Sequence, residues 1–461
     1  MSGRFHSIAN ADSTTSTWCS FERTTTTAST RTSTSMPSAC GGGSIEREGR
    51  VSSTTDCVTI CSVPDDKYKW DVVFKTRKTE MSRYIHMNFD HTAALVLKDG
   101  TVYHGMGHGP DGLYEGEAVF CTGMVGYTES LTDPSYYNQF LTFSYPLIGN
   151  YGVASFDDRS EGLPRFFESD SIKARAMVAH EVCEHPSHWS CDRTLPQWLC
   201  DEQVPAISGI DTRDLTKRLR AHGVMPALLA VGCEGDLPDI GRLRTRAAKM
   251  DDPTNKNLVR EVSTPVTTVY NDAGDTTVVL LDCGAKYGII KSLLRRNVRV
   301  VRVRYDTPID VIETYKPDGI LVSNGPGNPD RVDTICDTID AALNRDIPTV
   351  GICMGIQLLS LSQGAETYKL KFGHRSQNQP CRELGTSRCY ITSQNHGYVV
   401  DPASLEGTDL SLWMTNANDG SCEGVTSSRL NTFAVQFHPE ANPGPRDTDF
   451  LFDRFLSLMG D

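Results

Sequence analysis

The sequence lacks any long uninterrupted run of apolar residues, any excess of positive charge and any ordered spacing of its cysteines. Without about eighteen consecutive apolar residues, it offers no candidate membrane-spanning helix. The formal net charge is -13 and no stripe of Lys and Arg is visible, whereas phosphate binding draws on clustered basic side chains. We therefore expect neither a membrane nor a nucleic acid among the partners.

The fifteen cysteines are scattered along 461 residues, and no signal-peptide pattern opens the sequence. Such a distribution is typical of reduced thiols rather than of the disulfide framework of a short secreted chain. Cys57 and Cys61 come nearest to a zinc motif, but no second Cys/His pair stands close to them. Structural zinc sites need four ligands, so we expect no metal site in this chain.

Residues 1–88 form a low-complexity extension that is rich in Ser and Thr and contains a run of three glycines, Gly41–Gly43. This composition buries too little apolar surface to offset the entropy of ordering, and we expect disorder. An organelle transit peptide is the alternative: the Ser content and scattered Arg favour it, and Asp12 and Glu22 oppose it. The predicted compartment is the cytoplasm, with the mitochondrion as the alternative.

Residues 89–262 are predicted to form a first α/β domain. The stretch 92–104 has strand-like alternation on both sides of Asp99-Gly100, which is typical of a hairpin. Helical periodicity is clearest at 211–221. Residues 263–276 are mostly polar and are predicted to link this domain to the next.

Apolar strands alternate with helices in residues 277–461, the predicted second domain. The predicted elements are strands at 278–281, 298–303, 319–322 and 348–352 and helices at 289–296, 308–315 and 331–344. The alternation predicts an α/β fold with a mostly parallel sheet covered on both faces. In such sheets, sites form at the carboxyl ends of the strands.

One of these strand ends carries a candidate nucleophile. The strand ending at Ile352 leads into Gly351-Ile352-Cys353-Met354-Gly355-Ile356-Gln357 and then into an apolar helix. Two glycines flanking Cys353 permit a sharp strand-to-helix turn that places the sulfur at the tip of the turn. The helix N-terminus stabilises a thiolate and offers N–H groups to an oxyanion. A cysteine after a buried strand is more often structural, but this context favours a nucleophile.

A cysteine nucleophile needs a base, and the base needs an orienting acceptor. The run Thr432–Phe437 alternates like a strand and is followed by His438-Pro439-Glu440. Extended residues two apart project to the same side, so Glu440 can hold one ring nitrogen of His438 while the other faces the sulfur. Alone this pattern is weak, but together with the turn at Cys353 it favours a Cys-His-Glu triad.

Two further polar segments follow or interrupt predicted strands. The Gly- and Pro-rich stretch 321–329 is compatible with an ordinary tight turn, or with backbone that approaches a substrate and donates an N–H to an oxyanion. It is not a phosphate loop, because no Gly-Lys-Ser/Thr follows. The cluster Gln394–Tyr398 is predicted between two strands, and its His396 alone would more often be structural than catalytic.

The motifs G-I-C-M-G-I-Q, S-N-G-P-G-N-P, Q-N-H-G-Y and F-H-P-E-A-N-P-G-P together make the second domain resemble the class I, triad-type glutamine amidotransferases. The first domain resembles carbamoyl-phosphate synthase small chains in three phrases, at Glu117–Tyr136, Tyr145–Gly152 and Gly209–Arg220. The resemblance covers about Ala93 to Leu458. It implies an α/β docking module followed by a flavodoxin-like glutaminase domain.

The family resemblance also implies residue roles. Cys353 would attack the side-chain amide of L-glutamine, His438 would shuttle the proton and Glu440 would orient His438. The backbone of Gly325 and of Met354 would stabilise the oxyanion. The amino-acid end of the substrate would be held at the domain interface by Ser135, Gly327, Gln357, Asn395, Gly397 and Tyr398.

The implied products are glutamate and ammonia, with ammonia passing through a tunnel to a large synthetase subunit. That partner would combine it with bicarbonate and ATP into carbamoyl phosphate. No cofactor is expected in this chain, and ATP and Mg are expected on the large subunit. The segments Gly162–Ser169 and Pro186–Ser190 resemble the eukaryotic pyrimidine-pathway form, which is usually fused to the synthetase. Pyrimidine and arginine biosynthesis both stay open as the pathway, and the chain could be a fragment of a fused protein.

Two other functions are compatible with the same residues. A different Cys-triad hydrolase, such as a peptidase or a γ-glutamyl hydrolase, would leave Ser135 without a role. A silent regulatory subunit that only binds glutamine would not need an intact triad. Departures from the family pattern are few. Ile356 stands where many members have His, and this position lies outside the triad.

Overall fold

The computed structural model describes residues 91–233, 237–332 and 334–460. The predicted extension 1–88, including Cys57 and Cys61, lies outside these residues. Within the described ranges, no helix combines the length and apolarity that crossing a bilayer requires.

The first half of the described chain is built around a closed seven-stranded barrel, in the order β1-β11-β3-β4-β8-β10-β2. The remaining strands of this half form two short two-stranded sheets. The strands are β1 (His91–Leu97), β2 (Val102–His108), β3 (Gly112–Cys121), β4 (Gln139–Phe143), β5 (Leu147–Ile148), β6 (Arg159–Ser160), β7 (Leu163–Pro164), β8 (Ala176–Val178), β9 (Glu181–Val182), β10 (Ala206–Ser208) and β11 (Met225–Cys233). The helices are α1 (Tyr127–Thr132), α2 (Leu195–Asp201), α3 (Thr212–His222), α4 (Ile240–Ala248) and α5 (Val259–Val262).

The local predictions for this half agree with the structure. Strands β1 and β2 pair antiparallel around Asp99-Gly100, as the hairpin pattern indicates. Helix α3 begins where the Asp211 carboxylate accepts a hydrogen bond from the Asp214 N–H at 2.8 Å, which satisfies one of the free donors of the first turn. Its Leu215 and Leu219, four residues apart, are fully buried against the barrel strands.

The second half is one ten-stranded sheet with the order β12-β14-β13-β15-β16-β21-β20-β19-β17-β18. The strands are β12 (Thr268–Tyr270), β13 (Thr276–Asp282), β14 (Val298–Arg304), β15 (Gly319–Val322), β16 (Thr349–Ile352), β17 (Thr367–Glu383), β18 (Cys389–Val400), β19 (Ser411–Asn416), β20 (Cys422–Thr426) and β21 (Thr432–Val435). The helices are α6 (Tyr287–Leu294), α7 (Ile309–Glu313), α8 (Thr334–Asn344), α9 (Met354–Ser362) and α10 (Phe450–Met459).

The predicted parallel sheet is the central part, β14-β13-β15-β16-β21, and antiparallel strands extend it at both ends. Both faces of the central part are covered. Val279 and Leu281 of β13 pack in one apolar core with α8 and α9, and Val278 and Leu280 pack in another with α6 and α10. This two-sided burial is the reason that β13 is continuously apolar.

Two segments differ from their sequence interpretation. The predicted linker 263–276 contains strand β12, which pairs antiparallel with β14 as an edge strand of the sheet. The cluster Gln394–Tyr398 was predicted between two strands, but it lies inside the single strand β18. Pairing with β17 continues through the cluster, with His374 opposite His396, so its polar side chains alternate between the two faces.

Candidate active site

Cys353 lies at a sharp turn between β16 and α9, as predicted. Its backbone has φ 57° and ψ -101°, a conformation that is costly for a residue with a side chain. The turn is possible because of its two flanking glycines. A Cβ on Gly351 would lie 2.4 Å from the carbonyl carbon of Gly355, and a Cβ on Gly355 would lie 2.2 Å from the carbonyl oxygen of Val322.

The carboxyl ends of two parallel strands bring Cys353 close to the C-terminal motif. Ile352 of β16 is opposite Val435 of β21, and the Cys353 N–H donates to the Val435 carbonyl at 2.8 Å. The side chain of Cys353 is buried, and its Sγ donates to the carbonyl of Asn395 at 3.6 Å. Asn395 belongs to β18, and His438 is held to that strand too, because its N–H donates to the carbonyl of Ser393 in β18 at 2.9 Å.

His438 and Glu440 form a buried pair, with Nδ1 of the ring 2.7 Å from Oε1 of the carboxylate. The other ring nitrogen, Nε2, is buried and has no hydrogen-bond partner in the described part of the chain. Burial lowers the pKa of His438 and the charge of Lys286 opposes protonation, but the charges of Glu440 and Cys353 outweigh both. The pKa of His438 is raised to about 10, which favours the imidazolium.

Glu440 has a second buried partner that the sequence interpretation missed. The Nζ of Lys286 is 2.9 Å from Oε1 of Glu440 and also donates to the carbonyl of Ala441 at 2.8 Å. Burial raises the pKa of Glu440, but the charges of Lys286 and His438 prevail and lower it to about 2. The sequence feature that could have identified Lys286 is its position in the loop that follows β13, at the same edge of the sheet as Cys353.

A small cavity of about 30 Å³ lies against Cys353. All eight residues predicted to bind substrate or oxyanion line it, whereas His438 and Glu440 are not among its lining residues. Residues from both halves of the chain contribute. The lining residues are Glu117, Ser135, Gln139, Thr254, Gly325, Gly327, Cys353, Met354, Gln357, Arg375, Asn395, His396, Gly397 and Tyr398.

Hydrogen bonds join the two halves at the rim of this cavity. The Asn324 amide donates to the Ser135 hydroxyl at 2.9 Å, and the Asn395 amide donates to the Asp133 carboxylate at 2.9 Å. Ser135 is therefore fixed at the interface where it was predicted. Asp133 and Asn324 were not predicted, although both stand within two residues of predicted site residues.

Gln357 and His396 support the far wall of the cavity. The Gln357 amide donates to the carbonyl of Tyr398 at 2.8 Å and to Oε1 of Gln436 at 3.1 Å. Both ring nitrogens of His396 are engaged, with the carbonyl of Tyr398 at 3.0 Å and with the Gln394 amide at 3.1 Å. Burial lowers the pKa of His396, and the neutral ring has a single N–H, so it donates to only one of these two oxygen atoms.

Two groups of potential metal ligands occur in the described ranges, at His91, Asp111 and Cys233 and at His374, His396 and Glu423. Hydrogen bonds account for much of their clustering. His91 is 2.5 Å from Asp111, and His374 is 2.9 Å from Asp419 and 3.6 Å from Glu423. In the second group, Nδ1 of His374 and Oε2 of Glu423 are buried and have no hydrogen-bond partner in the described part of the chain.

Family models match both halves of the chain. The model described as glutamine amidotransferase class-I matches residues 279–458, and the one described as carbamoyl-phosphate synthase small chain, CPSase domain, matches residues 95–229. The first match contains the turn at Cys353 and the His438-Glu440 pair. The second contains Ser135, the barrel strands between β1 and β11, and part of each of these two strands.

Named relatives match along most of the chain. The carbamoyl phosphate synthase small chain of Staphylococcus epidermidis is 44% identical over 367 residues, which is 80% of this chain and 96% of the relative. That of Pyrococcus furiosus is 43% identical over 79% of this chain and 97% of the relative. The multifunctional protein CAD of Squalus acanthias is 44% identical over 80% of this chain, but the match spans only 16% of that longer protein. The chain belongs to the carbamoyl phosphate synthase small chain family and carries the class I glutamine amidotransferase domain of that family.

Proposed function

We propose that this chain is the glutamine-hydrolysing subunit of a carbamoyl phosphate synthase and that it works through Cys353, His438 and Glu440. The thiolate of Cys353 attacks the side-chain amide carbon of L-glutamine. As the C–S bond forms and the C–N bond breaks, His438 gives its proton to the leaving ammonia. Water, deprotonated by His438, then cleaves the thioester, which releases glutamate and restores the thiol.

The observation that carries this proposal is the strained turn that holds a cysteine beside a buried imidazole–carboxylate pair. Glu440 fixes the tautomer of His438 and stabilises its charged form, so the second ring nitrogen is free for proton transfer. The raised pKa of His438 favours the imidazolium, the form that gives a proton to the leaving ammonia. The N–H groups of Gly325 and Met354, both at the cavity, are our candidates for the oxyanion hole.

The cavity supports a small polar substrate. We propose that Ser135, Gly327, Gln357, Asn395, Gly397 and Tyr398 hold the amino-acid end of glutamine. At about 30 Å³ the cavity has room for only one or two water molecules. At its rim the Thr254 and Tyr398 hydroxyls lie 3.1 Å apart and the Asn395 amide donates to the Asp133 carboxylate, and we propose that these contacts rearrange when glutamine binds.

We further propose that the ammonia is passed to a large synthetase subunit. The similarity to small chains over almost their whole length supports such a partner. In that complex, ATP, Mg and bicarbonate belong to the large subunit, and this chain supplies nitrogen.

The test is carbamoyl phosphate synthesis by this chain reconstituted with a large subunit, with glutamine or free ammonia as nitrogen donor. Cys353→Ala should abolish the glutamine-dependent reaction and leave the ammonia-dependent one unchanged. Cys422→Ala is the matched control, because this cysteine is also buried in an apolar core but does not line the cavity. Equal loss of both reactions in Cys353→Ala, or peptide hydrolysis without glutamine hydrolysis by the unaltered chain, would contradict the proposal.

A further inference from the structure

A second buried carboxylate lies behind the triad. The Nζ of Lys286, which contacts Glu440, is also 3.9 Å from Oε2 of Glu168. Glu168 comes from the first half of the chain, after β7, and its side chain is fully buried. The charges therefore form a line from the first half of the chain through Lys286 to the triad.

Glu168 forms hydrogen bonds with the start of α6 and with the segment that follows Glu440. Its Oε2 accepts from the Gly288 N–H at 2.9 Å, and its backbone carbonyl accepts from the Tyr287 N–H at 2.8 Å, so it caps the first turn of α6. The Asn442 amide, two residues beyond Glu440, donates to its Oε1. The Nζ of Lys291 is 4.0 Å from the same oxygen.

A buried charge of this kind is costly to maintain. Taking ions out of water costs several kcal/mol per ion in real proteins, and a buried ion pair often gives no net stability. Burial raises the pKa of Glu168 to about 7 despite the nearby lysines, so its negative charge is fully present only above that pH, which includes the alkaline range discussed below. An apolar or neutral side chain would fill the space at less cost, so the arrangement is better explained by what it does for Lys286 and Asn442.

We infer that Glu168 is a positioning residue for the triad: it holds Lys286 and the loop at Asn442, and so keeps Glu440 aligned with His438. The first half of the chain thereby supplies part of the catalytic support, in addition to the cavity wall at Ser135. The inference rests on the proposed function, since it assigns Glu168 a role in that reaction.

The charges that face this network set the direction of the expected effect. The charges of Glu440, Glu168 and Asp133 favour the protonated form of Lys286. The charges of Lys286 and Lys291 favour ionised Glu168, and the charge of Glu440 opposes it. The charges of Lys286 and Lys291 also favour the ionised form of Glu129, which lies in α1. Without the charge of Glu168, Lys286 has Glu440 as its main anionic partner. Lys286 then offsets more of the negative charge of Glu440, so Glu440 stabilises the His438 imidazolium less.

The variant Glu168→Gln preserves the shape and removes the charge. Its amide oxygen can still accept from the Gly288 N–H, and its NH2 can bond to Asn442 once the Asn442 amide turns its oxygen towards it. We expect kcat for glutamine hydrolysis to fall between roughly tenfold and a hundredfold, the range of small misplacements of catalytic groups, with KM within about twofold. In the pH profile of kcat/KM, the fall of activity on the alkaline side reports the loss of the His438 proton. That limb should therefore move to lower pH, an effect that a merely structural glutamate would not produce.

Glu383→Gln is the matched control, because Glu383 is also largely buried and accepts from the Trp413 indole at 3.0 Å, at the distant end of β17. It should leave the pH profile of glutamine hydrolysis unchanged. If Glu168→Gln does not fold, the double variant Glu168→Gln with Lys291→Met removes one charge of each sign and should show the same displaced limb. A wild-type kcat and pH profile in the folded single or double variant would overturn the inference.

Alkylation of Cys353 by iodoacetamide across pH, measured beside glutamate release, separates this inference from the proposed function. An unaltered chain whose Cys353 is alkylated but which releases no glutamate from glutamine would contradict the proposed function. An active unaltered chain whose alkylation and hydrolysis profiles are both unchanged by Glu168→Gln would contradict the positioning role alone.

Discussion

Replacement of the triad carboxylate, Glu440→Gln, probes the electrostatics of the site most sharply. The amide retains the size of the side chain and can still accept a hydrogen bond from His438. It removes the negative charge that lies 2.7 Å from the His438 ring and 2.9 Å from Lys286. Lys286 is left with Glu168 as its remaining close carboxylate, at 3.9 Å.

The expected size of the effect follows from the pKa of His438. This pKa is raised from 6.5 to about 10, and Glu440 is the largest contribution in that direction. Without the charge of Glu440, burial and the charge of Lys286 both act against the imidazolium, so His438 loses most of its ability to hold the proton that it gives to the leaving group. The same change in a Ser-His-Asp triad lowers kcat about 10⁴-fold, and we expect a loss of between about 10² and 10⁴ here.

The assay is glutamate release by the purified chain across pH, for Glu440→Gln beside the unaltered protein. The variant should have a strongly reduced kcat. The alkaline limb of its pH profile should move to lower pH, because His438 loses its proton more readily. A kcat within about threefold of the unaltered protein, with both limbs in place, would refute the assignment of Glu440 as the orienting carboxylate.

The same pair ties the free energy of unfolding to pH. The pKa of Glu440 is lower in the folded state, about 2 against 4.5, so its contribution is present above 4.5 and is lost as pH falls through 2. The pKa of His438 is higher in the folded state, so its contribution is complete below 6.5 and is lost as pH rises through about 10. Urea unfolding of Glu440→Gln across pH should lack most of both slopes; unchanged slopes would contradict the pairing.

Two further substitutions test the turn and the domain interface. Gly355→Ala places a Cβ 2.2 Å from the Val322 carbonyl and should lower the free energy of unfolding by about 2–4 kcal/mol, whereas Gly460→Ala, whose nearest contact is 3.9 Å, should change it little in the same urea titration. Ser135→Ala removes the hydroxyl that accepts from Asn324, and it should raise KM for glutamine about three- to tenfold with little change in kcat, the size expected for one hydrogen bond. An unchanged KM would exclude Ser135 from the glutamine site.

The parts of the structure that could be predicted from sequence depend on local patterns. The turn at Cys353 needs two glycines in fixed positions, and the His438-Glu440 pair needs only the two-residue repeat of an extended chain. Strand β13 is apolar at successive positions because both of its faces are covered, and that pattern is visible without coordinates. Each of these features is determined by residues close together in the chain.

Several features that depend on distant partners could not be predicted. The barrel closes by pairing His91 with Cys233, more than a hundred residues away, and no local pattern specifies that register. Gln394–Tyr398 has the composition of a loop, yet β17 pairs across it and makes it a strand. Lys286 and Glu168 are ordinary charged residues in the sequence, and only their burial beside Glu440 and Asn442 reveals a role.

The most direct measurement is mass spectrometry of the protein quenched in acid while it turns over glutamine. The account predicts a γ-glutamyl group on the peptide that contains Cys353, absent without glutamine and absent in Cys353→Ala. Glutamate release from a protein whose Cys353 is never acylated, or acylation of a different cysteine, would contradict it.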